Sequence, residues 1–353
     1  MDSMNAAMFY RPGQVRFERI QIPQPGPGEI LVKIQVATTC GTDIKTYERG
    51  HPTIIKKVPS TFGHEFSGDV IEVGEGVTRF QPGMRIGSCN SAPCQECYYC
   101  KRGQQNLCED LLLLNGAYAE YIVVPARLVK TNVYELPAHM SYAEAAVSEP
   151  LGTAVHAVRQ AGILPGDTVA VLGSGPLGLM LARLAHLRGA RVILSGEKTE
   201  ERERVARNFG VNEFIDILQV KDPAERIQQV KGMTEGKRGV DVAIEAAGFA
   251  SAWEEAVQMV RKAGKVVFHG GPKAGSTITL DCQLQHYGEH TLIGVYHETP
   301  DDYRRGFELL ASRMVDGRQF ITSTLPLNRL LNAFEMVRRF EGIKFAIDPT
   351  RME

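Results

Sequence analysis

Four cysteines, Cys94, Cys97, Cys100 and Cys108, stand in the run C-x2-C-x2-C-x7-C. Four thiolates this close complete a tetrahedral zinc shell with no open position, which makes the run a candidate structural site. Such a site fixes a loop, here residues 89–110, that has little core of its own. An iron–sulfur run has a shorter last gap and a proline next, whereas Glu109 follows Cys108. A second set of ligand types is spread along the chain. Cys40 lies in Cys40-Gly41-Thr42-Asp43, His64 and Glu65 lie in Gly63-His64-Glu65-Phe66-Ser67-Gly68, and Glu149 opens Glu149-Pro150-Leu151. Thiolate, imidazole and carboxylate are all zinc ligands. Each residue also has a plain structural reading: a buried thiol, a hydrogen-bonded core histidine, an acid at a helix end. Spacing alone does not bring them together.

A third pattern is Gly173-Ser174-Gly175-Pro176-Leu177-Gly178, a G-x-G-x-x-G run. It follows a predicted strand and opens a predicted helix, the context in which the run means dinucleotide binding. Gly173 allows the tight turn, Gly175 a close approach of backbone to pyrophosphate, and Gly178 close packing of helix on strand. The helix N-terminus, where Pro176 and Leu177 stand, then offers free N–H groups to phosphate, though Pro176 itself has none. About 20 residues on, an acid should grip the adenosine ribose; the chain has Ser195-Gly196-Glu197-Lys198 there. Glu197 favours NAD. Gly196 would instead leave room for the 2′-phosphate of NADP, with Lys198, Arg202 or Arg204 to bind it, and NAD is the favoured reading.

These residues need two kinds of scaffold. Ile30, Val32, Ile34 and Val36 alternate as in a half-buried strand, and residues 69–73 read as another. From about residue 152 the texture changes to strand–helix alternation. Strands are expected at 168–172, 191–195, 240–245, 265–269 and 291–295, with helices at 176–188, 199–209 and 251–262. That order predicts a parallel, doubly wound α/β sheet. The tail is expected to rejoin the first domain.

Composition excludes several classes. In 353 residues, Lys plus Arg is 40 against 41 for Asp plus Glu, with no basic stripe to suit nucleic acid. Apolar runs are too short to span a bilayer, which argues against a membrane partner. The first residues carry no basic segment followed by an apolar one, so a cytoplasmic protein is expected. Seven cysteines cannot all pair within one chain.

Taken together, the glycine-rich stretch from Gly63 to Gly83, the four-cysteine lobe, the fingerprint and the domain order resemble the zinc-dependent medium-chain dehydrogenase/reductase family over nearly the whole chain. Cys40-Gly41-Thr42-Asp43 and Glu149-Pro150-Leu151 look most like its sorbitol and threonine dehydrogenase branch. The resemblance implies a GroES-like β-barrel catalytic domain at 1–152 and 294–353 and a Rossmann domain at 153–293. It implies two zinc ions per protomer, the catalytic one held by Cys40, His64 and either Glu65 or Glu149. Asp43 would orient His64, and Thr42 would take the proton of a small alcohol or polyol substrate. Cys40 is the one suitable thiolate unless Cys89 or Cys282 folds in, so a carboxylate must supply the second negative charge. Lys45 stands where many members have a relaying histidine, with His51 a candidate substitute. His297 stands near the place of an arginine that polyol dehydrogenases set by a substrate hydroxyl. A homo-oligomer, tetramer or dimer, is also implied.

Overall fold

The computed structural model describes residues 3–51 and 53–353. By their contacts these form two compact units, one running up to Gly152 and resuming at Glu298–Glu353, the other Thr153–His297. The second boundary falls past the expected 293, because the strand Thr291–Gly294 edges the parallel sheet and Val295 N–H still donates to Phe268 O.

The first unit is mainly antiparallel. Its largest sheet runs in the order Val133–Glu135, Arg85–Ser88, Phe66–Val73, Ile30–Thr38, Lys344–Asp348, Ile321–Pro326, and Tyr121–Val124 also pairs with Ile30–Thr38. The alternation read from the sequence holds only in part: Ile30, Val32 and Ile34 are fully buried and pack with Phe62, Phe66, Tyr118 and Phe345, but Leu31 is buried too, and Val36 is half-buried where the ladder shifts register between Ile34 and Val36. A smaller sheet joins Ser3–Arg11 to Gln14–Gln21 and Ser60–Thr61. The strand Lys344–Asp348 meets the end of Ile30–Thr38, with Ala346 opposite Thr38. The last segment of the chain is thus sewn to the residues just before Cys40.

The second unit is a six-stranded, all-parallel sheet. Its order is Glu213–Asp216, Arg191–Gly196, Thr168–Leu172, Val240–Glu245, Val260–Phe268, Thr291–Gly294. The first strand in sequence lies third, so the order reverses beside it. Dinucleotides bind at that reversal, outside the carboxyl ends of the strands. Near-continuous apolar runs such as Val169, Ala170, Val171 and Leu172 are buried, as strands covered on both faces require. One expectation needs correction. The helix expected to reach 262 spans Ala250–Met259, and the next strand begins at Val260. Val260 pairs with Val240, and the chain then turns through Ala263, at φ 57°, before resuming the ladder at Lys265. The pull of that strand pair overrides helical propensity there.

No helix among the described residues is long and apolar enough to cross a membrane.

Candidate metal centre and dinucleotide cradle

Cys40 caps the helix Gly41–Arg49, its Sγ accepting from Thr42 N–H at 3.4 Å. His64 and Glu65 sit just before the strand Phe66–Val73, which pairs with Ile30–Thr38. That pairing brings segments 38–40 and 64–65 together, with Thr38 N–H donating to Glu65 O at 3.1 Å. Ligand atoms of Cys40, His64 and Glu65 lie within 4.8 Å of one another. The imidazole Nδ1 of His64 lies 2.8 Å from Asp43 Oδ1, and Tyr118 Oη donates to Asp43 Oδ2 at 2.7 Å. A carboxylate on Nδ1 fixes the tautomer and leaves Nε2 free to ligate. Burial works against charge on His64, but Asp43 and Cys40 outweigh it and lift its pKa well above the usual range. The donor set therefore draws positive charge, which a divalent cation supplies. Glu65 Oε1 is buried without a hydrogen-bond partner, so one soft, one borderline and one hard donor converge with a carboxylate oxygen still to be satisfied. Zinc fits that set.

Glu149 is buried and stands outside the trio. Burial raises its carboxyl to about 7, with His64 lowering it and Glu65 raising it. It forms a close acid pair with Glu298, whose pKa burial and Glu149 push well up. Cys89 is fully buried and donates to Glu298 Oε1 at 3.0 Å, while Cys282 is exposed, so neither joins Cys40. Thr42 and Lys45 are half-buried on the helix that Cys40 caps. His51 follows it, half-buried, with its pKa lowered chiefly by burial and in part by His64.

The four-cysteine lobe is built from short 3-10 turns at Cys100–Arg102 and Gln105–Leu107 and from two-residue strands. The sulfurs of Cys94 and Cys100 are 3.9 Å apart, as are those of Cys97 and Cys108, and all four lie within 4.8 Å. A tetrahedron of thiolates on zinc has edges of about 3.8 Å. Backbone N–H groups point in as well, Cys94 N–H to Cys108 Sγ at 3.2 Å and Cys97 N–H to Cys94 Sγ at 3.3 Å. Backbone N–H donors from Cys100 and Glu109 pull the Cys97 thiol down to about 6, toward the ligating form.

In the second unit, the fingerprint is shaped for a diphosphate. Gly173 has φ 115°. A Cβ on Gly178 would sit 1.8 Å from Gly173 O, so helix and strand could not close with any other residue. A Cβ on Gly175 would meet nothing within 4 Å, and that open space at a helix N-terminus begun by Pro176 and Leu177 suits a phosphate. Past the next strand, the room beside Gly196 is already taken, because Ser174 Oγ lies 2.5 Å from where a Cβ would stand. Glycine there lets the strand tip close on the fingerprint loop. Arg202 is buried beneath the tip, its Nη1 donating at 3.3 Å to both Ser174 Oγ and Glu197 Oε2. Lys198 pairs with Glu203 at 3.1 Å.

Sequence reading missed Tyr118, Glu298 and Lys344. Lys344 carried a signal, a lone lysine in Ile343-Lys344-Phe345-Ala346-Ile347, a run that otherwise reads as buried strand. Tyr118 and Glu298 had none, since only folding brings them to Asp43 and Cys89.

The chain matches the family model described as alcohol dehydrogenase GroES-like domain over residues 26–137 and that described as zinc-binding dehydrogenase over 176–312. It is 30% identical to a sorbitol dehydrogenase of Bacillus subtilis, over 99% of this chain and 98% of the relative. It is 31% identical to an L-threonine 3-dehydrogenase of Bacillus licheniformis, over 99% and 100%. The crystal structure of a Sinorhizobium meliloti protein described as a zinc-binding dehydrogenase, bound to NADP, superposes with a TM-score of 0.88 at 28% identity, over 99% and 100%. The chain belongs to the zinc-dependent medium-chain dehydrogenase/reductase family. It is an oxidoreductase with a GroES-like domain and a Rossmann-like domain, in the alcohol and polyol dehydrogenase class.

Proposed function

We propose that this enzyme oxidises a secondary hydroxyl of a polyol, sugar or cyclitol and passes hydride to NAD. The observation that carries the reading is the convergence of Cys40, His64 and Glu65 with Asp43 behind His64. One thiolate and one carboxylate balance a divalent charge, the donor set expected of the polyol branch. These three residues would hold the catalytic zinc, and Cys94, Cys97, Cys100 and Cys108 a structural one. Zinc, when held, supplies the Lewis acidity that makes a nearby hydroxyl easier to deprotonate. Thr42 accepts that proton while giving up its own, and Lys45 or His51 carries it onward. Asp43 keeps the imidazole of His64 from turning.

Gly173, Gly175 and Gly178 with the helix start at Pro176 and Leu177 hold the diphosphate. Glu197 takes the ribose hydroxyls, held by Ser174 and the buried Arg202. NAD is preferred, because a 2′-phosphate would meet the Glu197 carboxylate and Arg202 is already paired with it. The seven thiols form no disulfide, which suits the cytoplasm. The exposed edge strand Thr291–Gly294, with Tyr287 and Tyr296 exposed nearby, favours a homo-oligomer.

The test is a screen of polyols, sugars, cyclitols, threonine and simple alcohols with zinc-loaded protein, reading NADH or NADPH at each step. The expected result is the highest kcat/KM on a secondary polyol hydroxyl with NAD. Turnover confined to primary alcohols or threonine would overturn the substrate reading, and a higher kcat/KM with NADP the cofactor reading.

A further inference from the structure

Glu65 is fully buried, and its two oxygens are treated differently. Oε2 accepts from both Lys344 Nζ and Thr38 Oγ1. Oε1 has no hydrogen-bond partner. An ionised oxygen left unsatisfied in the interior costs more than a neutral one. This one belongs to a residue whose carboxylate stands within 4.8 Å of the Cys40 and His64 ligand atoms.

Lys344 does more than pair with Glu65. Its Nζ also donates to Thr39 O at 2.6 Å, in the residue just before Cys40. Phe345 N–H donates to Thr39 Oγ1 at 3.1 Å, and Thr39 N–H to Phe345 O at 3.0 Å. One ammonium thus grips the carboxylate and the backbone that carries the thiolate. A buried ammonium is expensive unless its charge is matched. Here the match is the Glu65 carboxylate, itself fully buried. Glu149 lies close enough to feel the Lys344 charge but makes no contact of this kind with it.

The geometry points to Lys344 as a positioning residue that turns Glu65 Oε1 toward the metal and so makes Glu65, rather than Glu149, the resting carboxylate ligand. The inference rests on the reading above that Cys40, His64 and Glu65 hold the catalytic ion. With Lys344 gone, Oε2 keeps only Thr38 Oγ1, Glu65 is held less firmly, and Glu149 becomes the competing donor.

The test loads the full chain with cobalt(II), whose visible d–d bands report the ligand set. The spectrum of His64→Ala protein, which keeps only the four-cysteine lobe, is subtracted. Lys344→Met and Lys344→Arg are compared with wild type, each with and without Glu149→Gln. NADH binding and retained metal in the lobe confirm folding. Wild type and Lys344→Arg should give bands indifferent to Glu149→Gln. Lys344→Met should lose catalytic-site metal to a chelator roughly 10–100-fold more readily, the usual scale for residues that orient ligands. Its bands should shift, and shift again when Glu149→Gln is added. If Lys344→Met does not fold, Lys344→Gln keeps a donor without the charge and should show the same Glu149 dependence at smaller size. Wild-type bands and metal retention in Lys344→Met, or a Glu149→Gln effect of equal size with and without Lys344, would overturn the proposal. If His64→Ala removes no cobalt, the metal-site reading itself fails, a result distinct from either.

Discussion

Asp43 commits both carboxylate oxygens within the candidate metal centre, one to His64 and one to Tyr118, while Thr42 beside it keeps its backbone oxygen for Thr46 at 2.8 Å. In the proposed mechanism, adjacent residues on one turn of helix divide two tasks, holding a ligand and moving a proton. Replacement can separate them. Thr42→Val keeps the shape and removes the hydroxyl, so it should retain metal and NADH binding yet lose roughly a hundredfold in kcat, the scale of one acid–base step. Thr42→Ser should keep most activity. His64→Ala should lose metal and rate together. Metal content measured beside turnover tells the two phenotypes apart, and a normal kcat in Thr42→Val would rule out Thr42 as the proton acceptor. The lobe cysteines were legible in the sequence because their ligand spacing is local. Cys40, His64 and Glu65 were legible only as types, because strand pairing, not spacing, assembles them. Lys344 lies 279 residues from its partner Glu65, beyond any local pattern.

The strand Val240–Glu245 ends in an acid that braces the turn after it. Glu245 Oε1 accepts from Ala247 and Gly248 N–H at 2.7 and 2.6 Å, and its backbone oxygen from His269 and Gly270 N–H, both at 3.0 Å. Glu245 is fully buried and its Oε2 has no partner. Burial lifts the carboxyl from 4.5 to about 7, although those backbone donors favour its charge. A folded pKa above the unfolded one means a contribution fully present below pH 4.5 and lost as pH rises through 7. Glu245→Gln keeps the acceptor and cannot ionise. Thermal melts should therefore show the variant gaining on wild type from pH 5 to pH 8, by on the order of 3 kcal/mol at most. A difference flat across that range would mean the carboxyl is not neutral in the folded protein. At this scale most strands and helices of the parallel sheet were legible, because strands buried on both faces and glycine punctuation are local signals. The early end of the helix at Met259 was not, because it depends on pairing between Val240 and Val260.

Two metal stations in one unit predict two zinc ions per fully loaded protomer, lost independently. Cys100→Ser should release the lobe's ion and lower the melting temperature by roughly 5 °C or more, since the lobe has few other contacts to hold it. His64→Ala should release the other ion and leave the lobe's ion in place. Elemental analysis beside calorimetry checks both, and a single zinc in well-folded, active wild type would refute the two-site reading. The domain order was legible from the change of texture near residue 152, but the closing of the first unit by the end of the chain was visible only as an unassigned tail. That closure has a consequence for synthesis on the ribosome. Chains emerge amino end first, and domains generally fold as units. The second unit, Thr153–His297, is contiguous and can fold while translation continues. The first unit has Cys40, His64 and Glu65 out early but waits for Lys344, near the carboxyl end, before the Glu65 charge is matched. A nascent chain should therefore acquire its dinucleotide cradle before its catalytic metal. A stop codon ahead of Lys344 should leave a protein that carries both the cofactor fingerprint and the lobe yet cannot mature the centre that uses them.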